Sequence, residues 1–235
     1  MADAYRSLDA ARIVETARAL RGRIEERFRE SGLARVAAEL EAVSREAAAT
    51  SAWLEAPNRW VRAGVAACIL LLLLALGVGV ASVHHVGPFF SSLAELMQGL
   101  DAAVNDAIFL GLALFFLLTW EGRLKRRRAL GALHVLRSMA HIIDMHQLTK
   151  DPERVARAGP DTPSSPKRAL TPFELTRYLD YCSEMLSVIS KIAALYVQRL
   201  DDPQVLAAVN EIETLTAGLS RKIWQKIMIL DRIGS

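Results

Sequence analysis

The sequence predicts an all-α fold: an integral-membrane two-helix hairpin carrying a cytoplasmic antiparallel helical bundle. Three observations lead there. Ala63 to Val83 is an uncharged run of small and apolar residues, AGVAACILLLLLALGVGVASV. At about 1.5 Å rise per residue it reaches roughly 30 Å as a helix, the thickness of a bilayer's hydrocarbon core. A second, shorter apolar run, Ala107 to Trp120, follows after a loop. Elsewhere apolar residues recur at three- and four-residue steps, and no strand-like alternation is present.

These signals divide the 235 residues into N-terminal helices at 1–57, a hairpin at 58–122, a helix continuing the second span at 123–148, a linker at 149–170 and a C-terminal antiparallel pair at 171–235. The first sixty residues read as two helices. Ile13, Ala17, Leu20, Ile24 and Phe28 mark one face, and Val36, Leu40, Val43 and Ala47 mark the next. Ser31-Gly32 reads as the stop between them, because glycine accepts a left-handed C-cap. Ala56-Pro57-Asn58 breaks the second helix just before the membrane.

Spans are expected at about 62–84 and 102–120, with an outer loop at 85–101 where Gly87-Pro88 turns the chain beside Phe89 and Phe90. The first run starts about sixty residues in and exceeds a secretory h-region, so it reads as a span. Its pairs Ala75/Gly79 and Gly77/Ala81 permit close helix approach, first of all against the second span. Extending the second span to bilayer length draws in Asn105 and Asp106. Asp106 is either a first-turn acid favoured by the helix dipole or, in an oligomer, part of a carboxylate ring at a pore mouth. The 91–100 segment has helical spacing, and either lies on the outer leaflet or lengthens the second helix.

Orientation follows from charge. Arg59 and Arg62 precede the first span, and Arg123, Lys125, Arg126, Arg127 and Arg128 follow the second, whereas residues 84–106 contain no Lys or Arg. The positive-inside rule places both termini in the cytoplasm and the loop outside. Trp60 and Trp120 fall at the same boundary as interface anchors. The basic run also suits anionic lipid headgroups.

No proline interrupts the chain between Trp120 and Leu148, so the second span continues as a cytoplasmic helix. Residues 149–170 are rich in Pro, Ser, Asp and Arg and read as a linker. Thr171-Pro172-Phe173-Glu174 carries a capping box with proline at the first helical position. Asp202-Pro203 starts the last helix by the same logic, and Val205, Val209, Ile212, Leu219, Ile223, Ile227 and Leu230 form its seam.

Hydrophobic residues make up 52% of the chain and mean hydropathy is +0.21, which suits a hairpin with a sizeable water-facing part and not a polytopic transporter. The 29 basic residues barely exceed the 26 acidic ones, and the excess sits beside the membrane, which argues against a nucleic-acid partner. Cys68 lies in the first span and Cys182 in a distant helix, so no disulfide is implied and Cys182 reads as a small core residue. The abundance of Arg over Lys and of Ala suits a GC-rich bacterial genome, hence an inner membrane.

The densest group of reactive side chains is His134, Arg137, His141, Asp144 and His146. On a helix His134 and His141 lie within about 20° of each other, with Arg137 and Asp144 on one flank and Val135, Leu136, Met139, Ile142 and Ile143 opposite. His146 points about 140° from His141, so a metal ion held by His134, His141 or Asp144 needs a further ligand from elsewhere. The stripe reads chiefly as a partly buried polar contact, with Arg137 or His141 paired to Asp144 or to acids on other helices.

Three function classes follow. The first is a non-enzymatic, oligomerising interaction or scaffold protein, with the bilayer, copies of itself and a cytoplasmic protein as partners. The second is a homo-oligomeric channel or pore-forming effector resting on Asn105 and Asp106. The third is a metal-binding or enzymatic protein using His134 to His146. No cofactor-binding or catalytic motif is present.

Overall fold

The computed structural model describes residues 6–84, 93–152, 163 and 170–234. Among these the regular structure is helical: α1 (Ala10–Arg27), α2 (Gly32–Glu55), α3 (Arg59–His84), α4 (Leu93–Leu148), α5 (Pro172–Arg199) and α6 (Pro203–Gly234). They fall into two compact units, Met1–Glu55 with Arg126–Ser235, and Ala56–Lys125.

The first unit is a helical bundle with one continuous core. Helix α5 is its centre, packing on α1, α2 and α6. Leu179, Met185, Leu186 and Ile189 on α5 are fully buried, as are Leu20, Ile24, Leu33 and Leu40 from α1 and α2. Each such side chain contributes about 1.5–3 kcal/mol relative to exposure, so the apolar seams dominate this unit. Phe28 meets Tyr178 and Tyr181 edge-on, with ring centroids 5.4 and 6.2 Å apart, which pins the end of α1 to α5. The seam anticipated on α6 is buried at every position, and Thr216 fills the step between Ile212 and Leu219 by returning its hydroxyl to the Ile212 carbonyl at 2.9 Å.

Local signals explain most helix ends. The Thr171 hydroxyl accepts from the Glu174 amide at 3.2 Å and the Glu174 carboxylate accepts from the Thr171 amide at 2.8 Å, completing the capping box. Asp202 caps α6 by accepting from the Gln204 and Val205 amides. The α1–α2 corner differs from expectation. Helix α1 ends at Arg27, the left-handed residue is Glu30 (φ 61°), and Gly32 opens α2. Ser31 is the cap of α2, accepting from the Ala34 amide at 3.1 Å. Glycine at position 32 serves close approach, because a Cβ there would run into the His146 ring on α4.

The second unit contains α3 and the first half of α4. Both helices are long and apolar enough to cross a membrane, and none of the most apolar window of either is buried inside the chain. Leu70 is 68% exposed and Phe109 70%. Helix α4 begins at Leu93, so the residues after 92 lengthen the second apolar helix. The turn assigned to Gly87-Pro88, with Phe89 and Phe90, lies outside the described residues, as do most of the 149–170 linker and the surroundings of Gly79 and Ala81.

Replacing Gly32 with Ala should cost about 1 kcal/mol of stability by overpacking against His146. Thermal unfolding in detergent is the measurement. The same change in a His146→Ala background should cost less than half as much, and an equal penalty in both backgrounds would contradict the contact.

Candidate functional site

Helices α3 and α4 are joined at one end by a charged knot. Asn58 starts α3, its side chain accepting from the Val61 amide at 3.3 Å. One turn on, Arg62 Nε donates to Glu121 Oε2 at 2.8 Å, while the Asn58 amide donates to Glu121 Oε1 at 3.0 Å. Lys125, one turn beyond Glu121, stands 3.1 Å from the same carboxylate and donates to the Ala56 carbonyl at 3.0 Å. Burial works to raise the Glu121 carboxyl, but Arg62, the Asn58 amide and Lys125 outweigh it and hold it at about 2. The group stays ionised at physiological pH and ties both helices at a fixed register. Glu121 carries no recognisable motif; its one sequence signal is its position as the lone acid beside a basic run, opposite Arg62.

The structure separates the five basic residues that read as one headgroup-binding run. Lys125 is turned inward, its side chain 12% exposed. Arg126 Nε donates to the buried Asp202 at 2.6 Å. Burial opposes ionisation of Asp202, yet Arg126 and the two cap amides hold it below the usual carboxylate range. Arg128 lies over the Trp53 ring at 4.7 Å, and Arg123 over Phe116 at 4.8 Å. Arg127 is exposed. Among the described residues Arg123, Arg127 and Arg128 meet no carboxylate. Of the interface anchors, Trp60 is 89% exposed and Trp120 packs on Phe116 with centroids 5.2 Å apart. Asn105 and Asp106 are exposed on the apolar stretch of α4.

The histidine stripe makes the expected pairing of Arg137 with an acid on another helix, but the contact is more exposed than the partly buried one expected of it. His134 and His141 are exposed. Arg137 reaches across to Glu211 on α6 at 3.0 Å, in a pair more than half exposed on both sides. Asp144 accepts from Gln147 at 2.6 Å, and Gln147 in turn accepts from Lys226 at 2.6 Å. Lys226 also donates to the Gln147 carbonyl at 2.7 Å, neutralising the end of α4. The physical reason for the difference is the rotation of α4. Leu136, Met139 and Ile143 face the core with Leu133 and Ala140, whereas Val135 and Ile142, which the sequence places on the side of Leu136, Met139 and Ile143, face outward. His134 and His141 also stand two turns apart, about 10 Å along the axis, too far to share one ion. Among the described residues no group of three or more His, Cys, Asp or Glu could hold a metal ion. His146 is the half-buried member, and burial, then Arg35 and Lys150, disfavour its charged form.

A second acid sits under arginines within the bundle. Glu41 on α2 is buried and accepts from Arg18 at 3.3 Å and Arg21 at 3.1 Å on α1. Cys182 is buried in α5, and that burial pushes its thiol up to about 12, so no thiolate is present near neutral pH. Glu41 thereby ties α1 to α2, and Cys182 is a packed core residue. The charged α1–α2 corner and the shallow α4–α6 groove near His134 are open surface features, of about 550 and 160 Å³.

No protein-family model, curated protein or solved structure matches this chain.

With its imidazole in solvent, His141→Ala should leave thermal unfolding unchanged within about 0.5 kcal/mol. Leu136→Ala, on the core side of the same helix, should cost about 2–5 kcal/mol. A His141→Ala penalty comparable to that of Leu136→Ala would contradict this placement.

Proposed function

We propose that this chain is a non-enzymatic two-span protein of the bacterial inner membrane that displays a cytoplasmic helical bundle and assembles with copies of itself. The observation carrying the membrane reading is the exposure of the apolar windows of α3 and α4 in a chain whose bundle has its own apolar seams closed. Exposing a large apolar side chain to water forfeits about 1.5–3 kcal/mol. Leu70, Leu71, Phe109, Leu112, Phe115 and Leu118 would all incur that cost in water and none of it in lipid. The arginine and lysine flanks, against a loop with neither, support termini on the cytoplasmic side.

Self-assembly draws on the outward face of α4. Val135, Ser138, Ile142 and Met145 follow one another at steps of three and four, and the apolar members are 45, 43 and 68% exposed. Copies threaded alike through one bilayer present this stripe in parallel, which suits a symmetric pairing of α4 with α4. A pore is the second reading, supported by the exposed Asp106 on an apolar helix; it too requires several copies.

The mass of the intact assembly in detergent micelles tests the proposal. Wild-type protein should contain two or more chains, and Ile142→Glu should shift it to one. A single-chain mass for the wild type across micromolar concentrations would overturn self-assembly and the pore together.

A further inference from the structure

We propose that the groove between α3 and α4 on the Phe116 side seats one anionic phospholipid, with an acyl chain between the helices and its phosphate on Arg123. The inference rests on the membrane reading above and adds a specific occupant to it. The groove has a volume of about 460 Å³ and is lined by Cys68, Leu71, Leu72, Ala113, Phe116 and Leu117. Its lining includes small residues. Cys68 and Ala113 are short side chains, and one turn before Cys68 nothing stands within 4 Å of where a Cβ on Gly64 would lie.

Chemistry changes in order along α4 above this slot. Phe116 lines the groove and meets the Trp120 ring at a tilt of 58°, and the Arg123 guanidinium lies 4.8 Å from the Phe116 centroid. Phe116, Trp120 and Arg123 fall within about 60° on the helix. Hydrocarbon-matched, aromatic and cationic surfaces thus succeed one another as acyl chain, glycerol region and phosphate do in a lipid. Arg123 meets no carboxylate among the described residues, so its charge is available.

A groove on the other side of the same helix pair, about 380 Å³ and reaching Arg62, makes the contrast. There Glu121 lies in the wall and Arg62 is already bound to it at 2.8 Å. An anionic headgroup would meet a fixed carboxylate on that side and an uncompensated guanidinium on the Arg123 side. A neutral partner, or an apolar helix from a second copy, would gain nothing from Arg123.

Native mass spectrometry of the full chain in a neutral detergent, with added phosphatidylglycerol or phosphatidylcholine of identical acyl chains, tests the assignment. One phosphatidylglycerol per chain should be retained in preference to phosphatidylcholine. Arg123→Gln should lower that retention about five-fold, the value of one interfacial charge, and abolish the headgroup preference. Ala113→Leu should fill the groove and lower retention of both lipids. Phosphatidylglycerol retained equally by wild type and Arg123→Gln would overturn the proposal, as would a groove that holds neither lipid in a wild-type protein that still inserts into vesicles. Failure of the membrane reading itself has a separate signature, since the wild-type chain would then not partition into vesicles at all.

Discussion

Apolar surface needs a medium, and this chain meets that requirement in two opposite ways. Around α5 the requirement is met internally: α1, α2, α6 and the C-terminal half of α4 close over a continuous core of aliphatic and aromatic side chains. In α3 and the first half of α4 it is not met by protein, and the most apolar windows remain uncovered. Lipid supplies the missing medium in the proposed reading. Backbone polar groups raise no objection, because a helix satisfies its own N–H and C=O groups along its length.

Charge then acts on positions that burial has already selected. Exposed pairs such as Arg137–Glu211 contribute about 0–1 kcal/mol and decide little. The acids drawn into protein matter more, because an uncompensated buried carboxylate would be costly. Glu41, Glu121 and Asp202 each recruit arginine or backbone amides, and each fastens a helix end or a helix pair. Asp202 does both, capping α6 while accepting from Arg126 on α4.

Much of the helical framework is legible in sequence, where a single residue type decides a local outcome. The Thr171–Glu174 capping box, the Asp202 cap and the α6 seam all depend on side chains a few residues apart. Harder cases depend on what lies across from a residue. Gly32 has the look of a C-cap, but its conformation is helical and its small size serves His146. The rotation of α4 about its axis is set by which helices flank it. Periodicity alone therefore places Val135 and Ile142 with Leu136 and Ile143, and His134 and His141 in a partly buried stripe, whereas Val135, Ile142, His134 and His141 are all exposed. The basic run could be read as a cluster of like charges, but not split into the inward Lys125, the Asp202-bound Arg126 and the ring-stacked Arg123 and Arg128. The metal reading of His134, His141 and Asp144 depends in the same way on a ligand from another element, and among the described residues no group of three or more His, Cys, Asp or Glu could hold an ion.

Quenching of single-tryptophan proteins by lipids brominated high on their acyl chains tests the central claim most directly. The four native tryptophans divide by environment: Trp60 and Trp120 bound the apolar windows, whereas Trp53 and Trp224 belong to the bundle. In vesicles, Trp60 and Trp120 should both be strongly quenched, while Trp53 and Trp224 should match their intensity in unbrominated lipid. Trp60 and Trp120 emitting equally in brominated and unbrominated vesicles would show that neither helix enters the bilayer, and would contradict the account at its base.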